Sequence, residues 1–280
     1  MFSKALLNAT YKNGKPGQLT AEHERAEHHR FKSEYLFKNK KIPKDLYASR
    51  LIQQFLIIKA IENKLQSSET DKTVISAFFS LSYLDQLWRT PAMEEDLRQL
   101  GVNPDEISKD EITEATKKYL GDIEKLTPKT LLAHFLVHVA GFMHGGYIVQ
   151  SKYIKPSNRL TAYQIPAKQY DFSSSNPFLS TGRRTPLGLY QDMMEQVDKI
   201  EINGDEYVEV LAQCQSIYAT MASIYDNLCD MQAQQPTLST HSIAVFCSSI
   251  LVLALIIKLL ADFLNPIMTN HISHGPMSGP

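Results

Sequence analysis

The stretch Ala133–Gly146, AHFLVHVAGFMHGG, is the centre of a longer apolar segment, Pro128–Gln150, around which the rest of the chain can be organised. Thr127 is suited to cap a helix here, and Pro128 fits the first turn, where no backbone N–H is needed. Apolar residues then recur at the spacing of three and four that is typical of a helix, namely Leu131, Leu132, Phe135, Val139, Phe142 and Met143. The sequence therefore predicts one long helix over this segment.

Three glycines in the second half of the segment, Gly141, Gly145 and Gly146, oppose this helix. Each glycine costs a helix about 1 kcal/mol relative to alanine, so a bare backbone should serve a purpose here. Two explanations are open. Either a neighbouring helix packs unusually close or the helix breaks, or a flat ligand lies against the main chain. The nearby histidines favour the ligand; they are His134, His138 and His144.

Composition limits the kind of protein. The chain of 280 residues is 43% hydrophobic and 21% charged, which suits one good core. Its formal charge of -1 argues against a general nucleic-acid binder. The cysteines Cys214, Cys229 and Cys247 form no pair motif, so we expect neither a disulfide framework nor a structural zinc site, and a reducing cytosol is the natural location. We identify no signal peptide in the first residues.

Helical periodicity dominates the remainder, and no stretch alternates as a strand does, so the predicted fold class is all-α. Met1–Leu19 is predicted as a short lead-in with turns, and the irregular Tyr153–Arg184 as a loop that is the best candidate for a lid or an insertion. The further predicted helices are Ala21–Phe37, Pro43–Gln66, Thr73–Trp88, Ala92–Leu100, 108–126, Pro186–Ile200 and Asp205–Met231.

The composition changes near the C-terminus. Ile243–Ile257 carries no charge, and the apolar character continues through Leu264. These 22 residues reach roughly 33 Å as a helix, enough to cross a bilayer. A buried C-terminal helix is the alternative. The preferred organisation is a helical domain over 1–231, a linker over 232–242, a transmembrane tail anchor over 243–264 and a short tail over 265–280, with the body in the cytosol.

His23 and Glu27 stand four residues apart on the helix that begins at Ala21. This spacing puts a carboxylate one turn from an imidazole, as in a metal-bound histidine whose ring is held by an acidic partner. A solvated face of mixed charge is the alternative.

Together these segments resemble the haem oxygenase (heme oxygenase) family, all-helical enzymes that convert haem to biliverdin, iron and CO. His23-Glu24-Arg25-Ala26-Glu27, followed by Phe31, is similar to the family's proximal segment. Gly141-Phe142-Met143-His144-Gly145-Gly146 is similar to the distal signature Gly-Asp-x-Ser-Gly-Gly, and Leu189-Tyr190 to a Leu-Tyr pair on a later helix. The resemblance covers about residues 19–231 and includes the C-terminal membrane tail of animal members.

The resemblance implies that haem is both substrate and cofactor. His23 would be the axial ligand of the iron, and Glu27 would hold its other ring nitrogen. The other haem-binding residues implied are Gly141, Gly145, Gly146 and Tyr190. Electrons would come from a redox partner such as a flavin reductase or a ferredoxin, because the chain has no flavin or nicotinamide fingerprint.

This chain departs from the family at several positions. Phe142 replaces the distal carboxylate, His144 replaces a serine, and His138 replaces an arginine. His144 can face solvent or have a structural role, supply a distal hydrogen bond or ligate iron. The resemblance thus places Phe142 and His144 at the positions expected to be catalytic. Gln191 and Leu187 replace the basic residues that meet the propionates; Arg183, Arg184 or Lys15 are possible substitutes.

Three functions follow as hypotheses. The first is a tail-anchored, haem-cleaving oxygenase. The second is a membrane-anchored protein that binds haem or a partner without catalysis, which Phe142 and Gln191 favour. The third is a metal-dependent oxidase that uses His134 and His138 with Glu27 or His23, although Pro128–Gln150 supplies no carboxylate.

Overall fold

The computed structural model of the chain describes residues 1–172 and 186–234. They lie, apart from the last two, in one compact unit, Met1–Gln232. The described part contains helices and no β-strand, which confirms the all-α prediction; its only β pairing is an isolated bridge between Tyr11 and Leu19. The helices are α1 (Phe2–Thr10), α2 (Ala21–Glu27), α3 (Lys44–Gln66), α4 (Ser76–Phe79), α5 (Thr90–Leu100), α6 (Glu114–Ile123), α7 (Pro128–Val149), α8 (Lys155–Asn158), α9 (Pro186–Val197) and α10 (Gly204–Gln234).

Helix α3 lies at the centre and packs against α5, α6 and α7. Its side chains are buried on several faces, including Leu51, Phe55, Ile58 and Ile61. Buried Glu62 accepts hydrogen bonds from the backbone N–H groups of Arg89 and Thr90, at 2.6 and 3.1 Å. These N–H groups open α5, so α3 supplies an N-terminal cap to its neighbour.

Helix α7 forms where the sequence predicts it. The Thr127 hydroxyl accepts a hydrogen bond from the Thr130 N–H, and Pro128 occupies the first turn. The helix is buried along its first half, where Phe135 packs against Phe78 and Trp88 at centroid distances of 5.4 and 5.1 Å. The glycines do not break α7, which continues through a π-helical turn, Gln150–Ile154, into α8. The predicted loop therefore begins later than Tyr153.

Three other predictions were wrong in their boundaries. The expected lead-in contains α1, whose Phe2, Ala5, Leu6 and Ala9 are buried at the spacing of an amphipathic helix. The expected helix over 21–37 ends at Glu27, and a π-helical segment, Phe31–Leu36, follows. The expected helix over 73–88 is divided into short turns, because Ser80 closes α4 and its hydroxyl donates to the Ala77 carbonyl.

The predicted membrane anchor lies outside the described residues, as does part of the predicted lid. Within the described part, the continuous helix Pro128–Asn158 is long and apolar enough to cross a bilayer, with a mean hydropathy of 1.3. However, 61% of its apolar window is buried inside the protein. Burial in the core accounts for this composition.

Candidate functional site

His23 lies half-buried on α2 beside the end of α1. Its Nδ1 is 3.2 Å from the carbonyl oxygen of Thr10. Its ring stacks on Tyr218 of α10, with centroids 4.3 Å apart and planes inclined by 20°. A carbonyl oxygen only accepts hydrogen bonds, so Nδ1 carries the proton and Nε2 keeps its lone pair. Burial lowers the pKa of His23 and thereby favours this neutral, ligand-competent form.

Glu27 does not hold the His23 ring as the spacing suggested. Its carboxylate pairs with Lys32 Nζ at 2.9 Å, while the Thr10 carbonyl meets His23 Nδ1. Glu27 acts on His23 only through its charge, which raises the imidazole pKa in opposition to burial. The orienting group thus comes from the backbone of another helix, which side-chain spacing cannot indicate.

The glycines of α7 have two different environments. At Gly141 and Gly145, a Cβ atom would meet nothing within 4 Å, and both residues are exposed. At Gly146, a Cβ atom would approach the ring of Tyr170 to 2.4 Å. Gly146 is therefore required by packing, whereas Gly141 and Gly145 present bare backbone to open space. We call this surface, formed by Gly141 and Gly145, the glycine face.

Two aromatic side chains connect the glycine face to the side of His23. His144, exposed on α7, meets the edge of Tyr190 of α9 at a centroid distance of 4.6 Å and an angle of 89°. Tyr190 in turn is close enough to Tyr218 to raise its pKa, although burial is the larger cause. Tyr218 is the residue that stacks on His23. His144 thus lies against Tyr190, and His23 lies against Tyr218.

Phe142 packs into the core and is only 4% exposed. Its ring lies 6.0 Å from that of Tyr170, the residue that also covers Gly146. The Tyr170 hydroxyl accepts a hydrogen bond from Arg50 of α3 at 3.1 Å. The Phe142 side chain thus makes an apolar contact in the core and does not face solvent.

His134 and His138 meet in a buried hydrogen-bond network that the sequence did not reveal. The hydroxyl of Tyr119 on α6 lies 2.6 Å from His134 Nδ1 and 3.2 Å from His138 Nε2. His134 Nε2 lies 3.2 Å from Gln213 Oε1 on α10. Burial lowers the pKa of His134 to about 4 and that of His138 to about 3, so both imidazoles are neutral near pH 7.

The hypothesis of a metal-dependent oxidase requires several metal ligands to lie close together. The described residues contain no group of three or more His, Cys, Asp or Glu side chains that could hold a metal ion. Lys15, a possible substitute for the propionate-binding residues, is exposed near the end of α1, and Gln191, which replaces one of the basic residues, is exposed on α9. Arg183 and Arg184 lie outside the described residues, as does the side chain of Leu187.

The fold and the site define a class: a helical protein with a bare-backbone face on a long helix and a ligand-competent histidine on a short one. The profile of the family described as "Heme oxygenase" matches residues 18–227, most of the chain. The chain belongs to the haem oxygenase family. No curated protein matches it.

Solved structures show the same fold at low sequence identity. Heme oxygenase-2 from Synechocystis sp. PCC 6803, in complex with heme and NO, is 18% identical with a TM-score of 0.65 and covers 82% of this chain and 86% of its own. Heme oxygenase-1 from the same cyanobacterium, in complex with heme, is 16% identical with a TM-score of 0.62 over 89% and 97%. Heme oxygenase from Leptospira interrogans is 22% identical with a TM-score of 0.60 over 80% and 98%.

Proposed function

We propose that this chain binds haem against the glycine face and cleaves it oxidatively to biliverdin, iron and CO. The observation that carries the proposal is the open space at Gly141 and Gly145, where side chains would lie in the path of a flat ligand and glycine leaves the backbone accessible. Membership of the haem oxygenase family supports this identity of the ligand.

His23 is the proposed axial ligand. The Thr10 carbonyl fixes the proton on Nδ1, and the stacked Tyr218 ring restricts rotation of the imidazole. Nε2 is then available without a change of protonation, which makes the site fit a ferrous or ferric iron. Tyr190 and His144 border the same ligand from α9 and α7.

Bound haem supplies an iron centre that activates O₂ and the porphyrin ring that is opened. The chain contributes the pocket and the axial ligand, while the electrons come from an external donor such as a flavin reductase or a ferredoxin. We infer this dependence because the sequence contains no flavin or nicotinamide fingerprint.

One observation favours a second function, haem binding without turnover. Phe142 lies in the core, so position 142 offers no polar group to the ligand. A protein that retains His23 and the glycine face but lacks a distal acceptor would bind or sense haem at the membrane and not cleave it.

The test of haem binding is the absorption spectrum of the full-length protein, in detergent, titrated with ferric haem. We expect a saturable Soret band that His23→Ala shifts and weakens. His28→Ala is the matched control, because His28 is exposed at the end of the same helix and should leave the band unchanged. An identical titration for wild type and His23→Ala would refute the assignment of the ligand.

A turnover measurement separates the two functions. The haem-loaded protein is supplied with O₂ and a reductase with its electron donor, and biliverdin and CO are quantified. Production of both, in proportion to haem lost, supports the oxygenase. A stable haem spectrum under the same conditions supports the binding protein.

We also propose that residues 243–264 anchor the chain in a membrane with its body in the cytosol. The support is the uncharged run over Ile243–Ile257. Flotation of the full chain with phospholipid vesicles tests this proposal, and the double variant Leu251→Arg, Leu255→Arg should abolish flotation, since each arginine at a helix centre costs about 3 kcal/mol. Equal flotation of both proteins would contradict the anchor.

A further inference from the structure

The buried network of Tyr119, His134 and His138 has a direction that can be deduced from its hydrogen bonds. Both histidines are neutral, so each carries one ring proton. Gln213 presents its carbonyl oxygen Oε1 to His134 Nε2, and this oxygen only accepts. The proton of His134 is therefore on Nε2, and its Nδ1 is an acceptor.

The next two bonds follow from this assignment. Tyr119 has a single proton, and burial raises its pKa, so the phenol stays protonated. Because His134 Nδ1 needs a donor, the Tyr119 hydroxyl donates to it over the shorter distance of 2.6 Å. The Tyr119 oxygen then accepts from His138 Nε2 at 3.2 Å. His138 consequently carries its proton on Nε2 and a lone pair on Nδ1.

His138 Nδ1 has no hydrogen-bond partner within the described residues. His138 precedes Gly141 by three residues and Gly145 by seven on α7. These spacings put all three residues on the same side of a helix. His138 keeps 8% of its surface exposed, while Tyr119 keeps 3%. The network thus ends beside the glycine face.

We propose that His138 is the polar positioning residue of the glycine face, with Nδ1 accepting a hydrogen bond from a water molecule beside the bound ligand. This inference rests on the proposed function. It replaces the acceptor that Phe142 cannot supply: a carboxylate accepts a hydrogen bond from water, and a neutral imidazole held in one tautomer accepts one at a fixed nitrogen. Tyr119 and His134 act through His138 by keeping its proton on Nε2.

The first measurement needs no haem. Imidazole ¹⁵N shifts distinguish a protonated nitrogen from a bare one, and they can be recorded for the full-length, histidine-labelled protein in detergent micelles near pH 7. We expect a protonated Nε2 and a bare Nδ1 at His138. The opposite pattern would mean that the network runs in the other direction and that His138 is a donor, which overturns the proposal.

Variants connect this tautomer to the network. Tyr119→Phe removes the acceptor of His138 Nε2, so we expect the His138 signals to move towards a mixture of tautomers. Tyr207→Phe is the matched control: it removes a tyrosine hydroxyl that bonds Asn8 at 2.7 Å, and it should leave His138 unchanged. Unchanged signals in Tyr119→Phe would show that Tyr119 does not hold the ring.

The second measurement tests the position of His138 in the haem-loaded protein. The C–O stretching frequency of the ferrous CO complex rises when a lone pair faces the ligand and falls when a donor does. The water held by Nδ1 turns its second O–H towards the bound CO and acts as a donor, so we expect His138→Leu, which releases this water, to shift the band to higher frequency. If wild type binds haem and the two bands coincide, His138 does not face the ligand and only this inference fails. If wild type binds no haem, the proposed function fails, while the tautomer of His138 still decides whether the network has the stated direction.

Discussion

Gly141 and Gly146 stand five positions apart in one helix, and a methyl group at each should have opposite effects on folding. Gly141→Ala adds a Cβ into open space, so it should raise the free energy of unfolding by about 1 kcal/mol through helix propensity. Gly146→Ala forces the Tyr170 ring to move from 2.4 Å, which should lower the free energy of unfolding by about 1–3 kcal/mol. Urea denaturation of the haem-free protein measures both values.

The two residues of the glycine face should also determine the affinity for haem. Gly141→Leu and Gly145→Leu place a bulky side chain on the glycine face, and we expect each to weaken haem binding at least tenfold in a spectrophotometric titration. Gly121→Leu, a glycine of α6 with equally open surroundings, is the matched control and should bind as wild type does. Wild-type affinity in both α7 variants would exclude the glycine face as the binding surface.

Some residues of the candidate site can be recognised in the sequence and others cannot, for physical reasons. His23 and the α7 glycines could be proposed as site residues because a histidine at a defined spacing and a local loss of helix propensity are visible along one segment. The Thr10 carbonyl and Tyr119 could not, because they approach from other helices. The close contact of Tyr170 with Gly146 is also a tertiary contact between separate segments, so the sequence pattern does not indicate it.

Among the elements, α1 links the N-terminus to the site, because its last residue supplies the carbonyl that orients His23. The helix is held to the residue that follows α9 by Ser3, whose N–H and hydroxyl both donate to Asp198, at 2.8 and 2.6 Å. If α1 separates from the rest of the protein, His23 should therefore remain on α2 but lose the hydrogen bond that orients its ring.

A matched pair of charge substitutions tests this role of α1. Ala5 is fully buried, whereas Lys4, one residue earlier, is exposed. Ala5→Asp buries an unpaired carboxylate and should undock the helix, which we expect to accelerate amide exchange in α1 and weaken haem binding. Lys4→Asp introduces the same charge into solvent and should change neither. If Ala5→Asp exchanges faster yet binds haem normally, the Thr10 carbonyl is not needed to orient His23.

The elements that the sequence misassigned share one property: they are short. The apolar residues of α1 follow a helical period, but its nine residues are too few to be stable alone, and the turn residues that follow it suggested a lead-in. The residues expected as one helix over 73–88 keep their apolar side chains buried while the backbone turns at Ser80. Long α3, α7 and α10 were predicted well because period and length agree.

For the whole molecule, the buried histidines make stability depend on pH. His134 and His138 have pKa values of about 4 and about 3 in the folded protein, against 6.5 for a free imidazole. Between these values the unfolded chain binds more protons than the folded one, so stability decreases as the pH falls. The contribution of the two histidines to the free energy of unfolding is complete above about pH 6.5. Below that pH it decreases by at most about 1.4 kcal/mol per pH unit for each histidine.

This dependence predicts a melting temperature of the haem-free protein that is level above pH 7 and falls steeply from pH 6 to pH 4. His138→Leu removes one of the two proton-binding groups and should make the fall shallower, even though it costs stability at pH 7 through the unpaired Tyr119 oxygen. His28→Ala removes an exposed histidine and should leave the slope as it is in wild type. Parallel melting curves for wild type and His138→Leu across this range would mean that His138 is not held neutral by the fold, and the lone pair assigned to its Nδ1 would lose its basis.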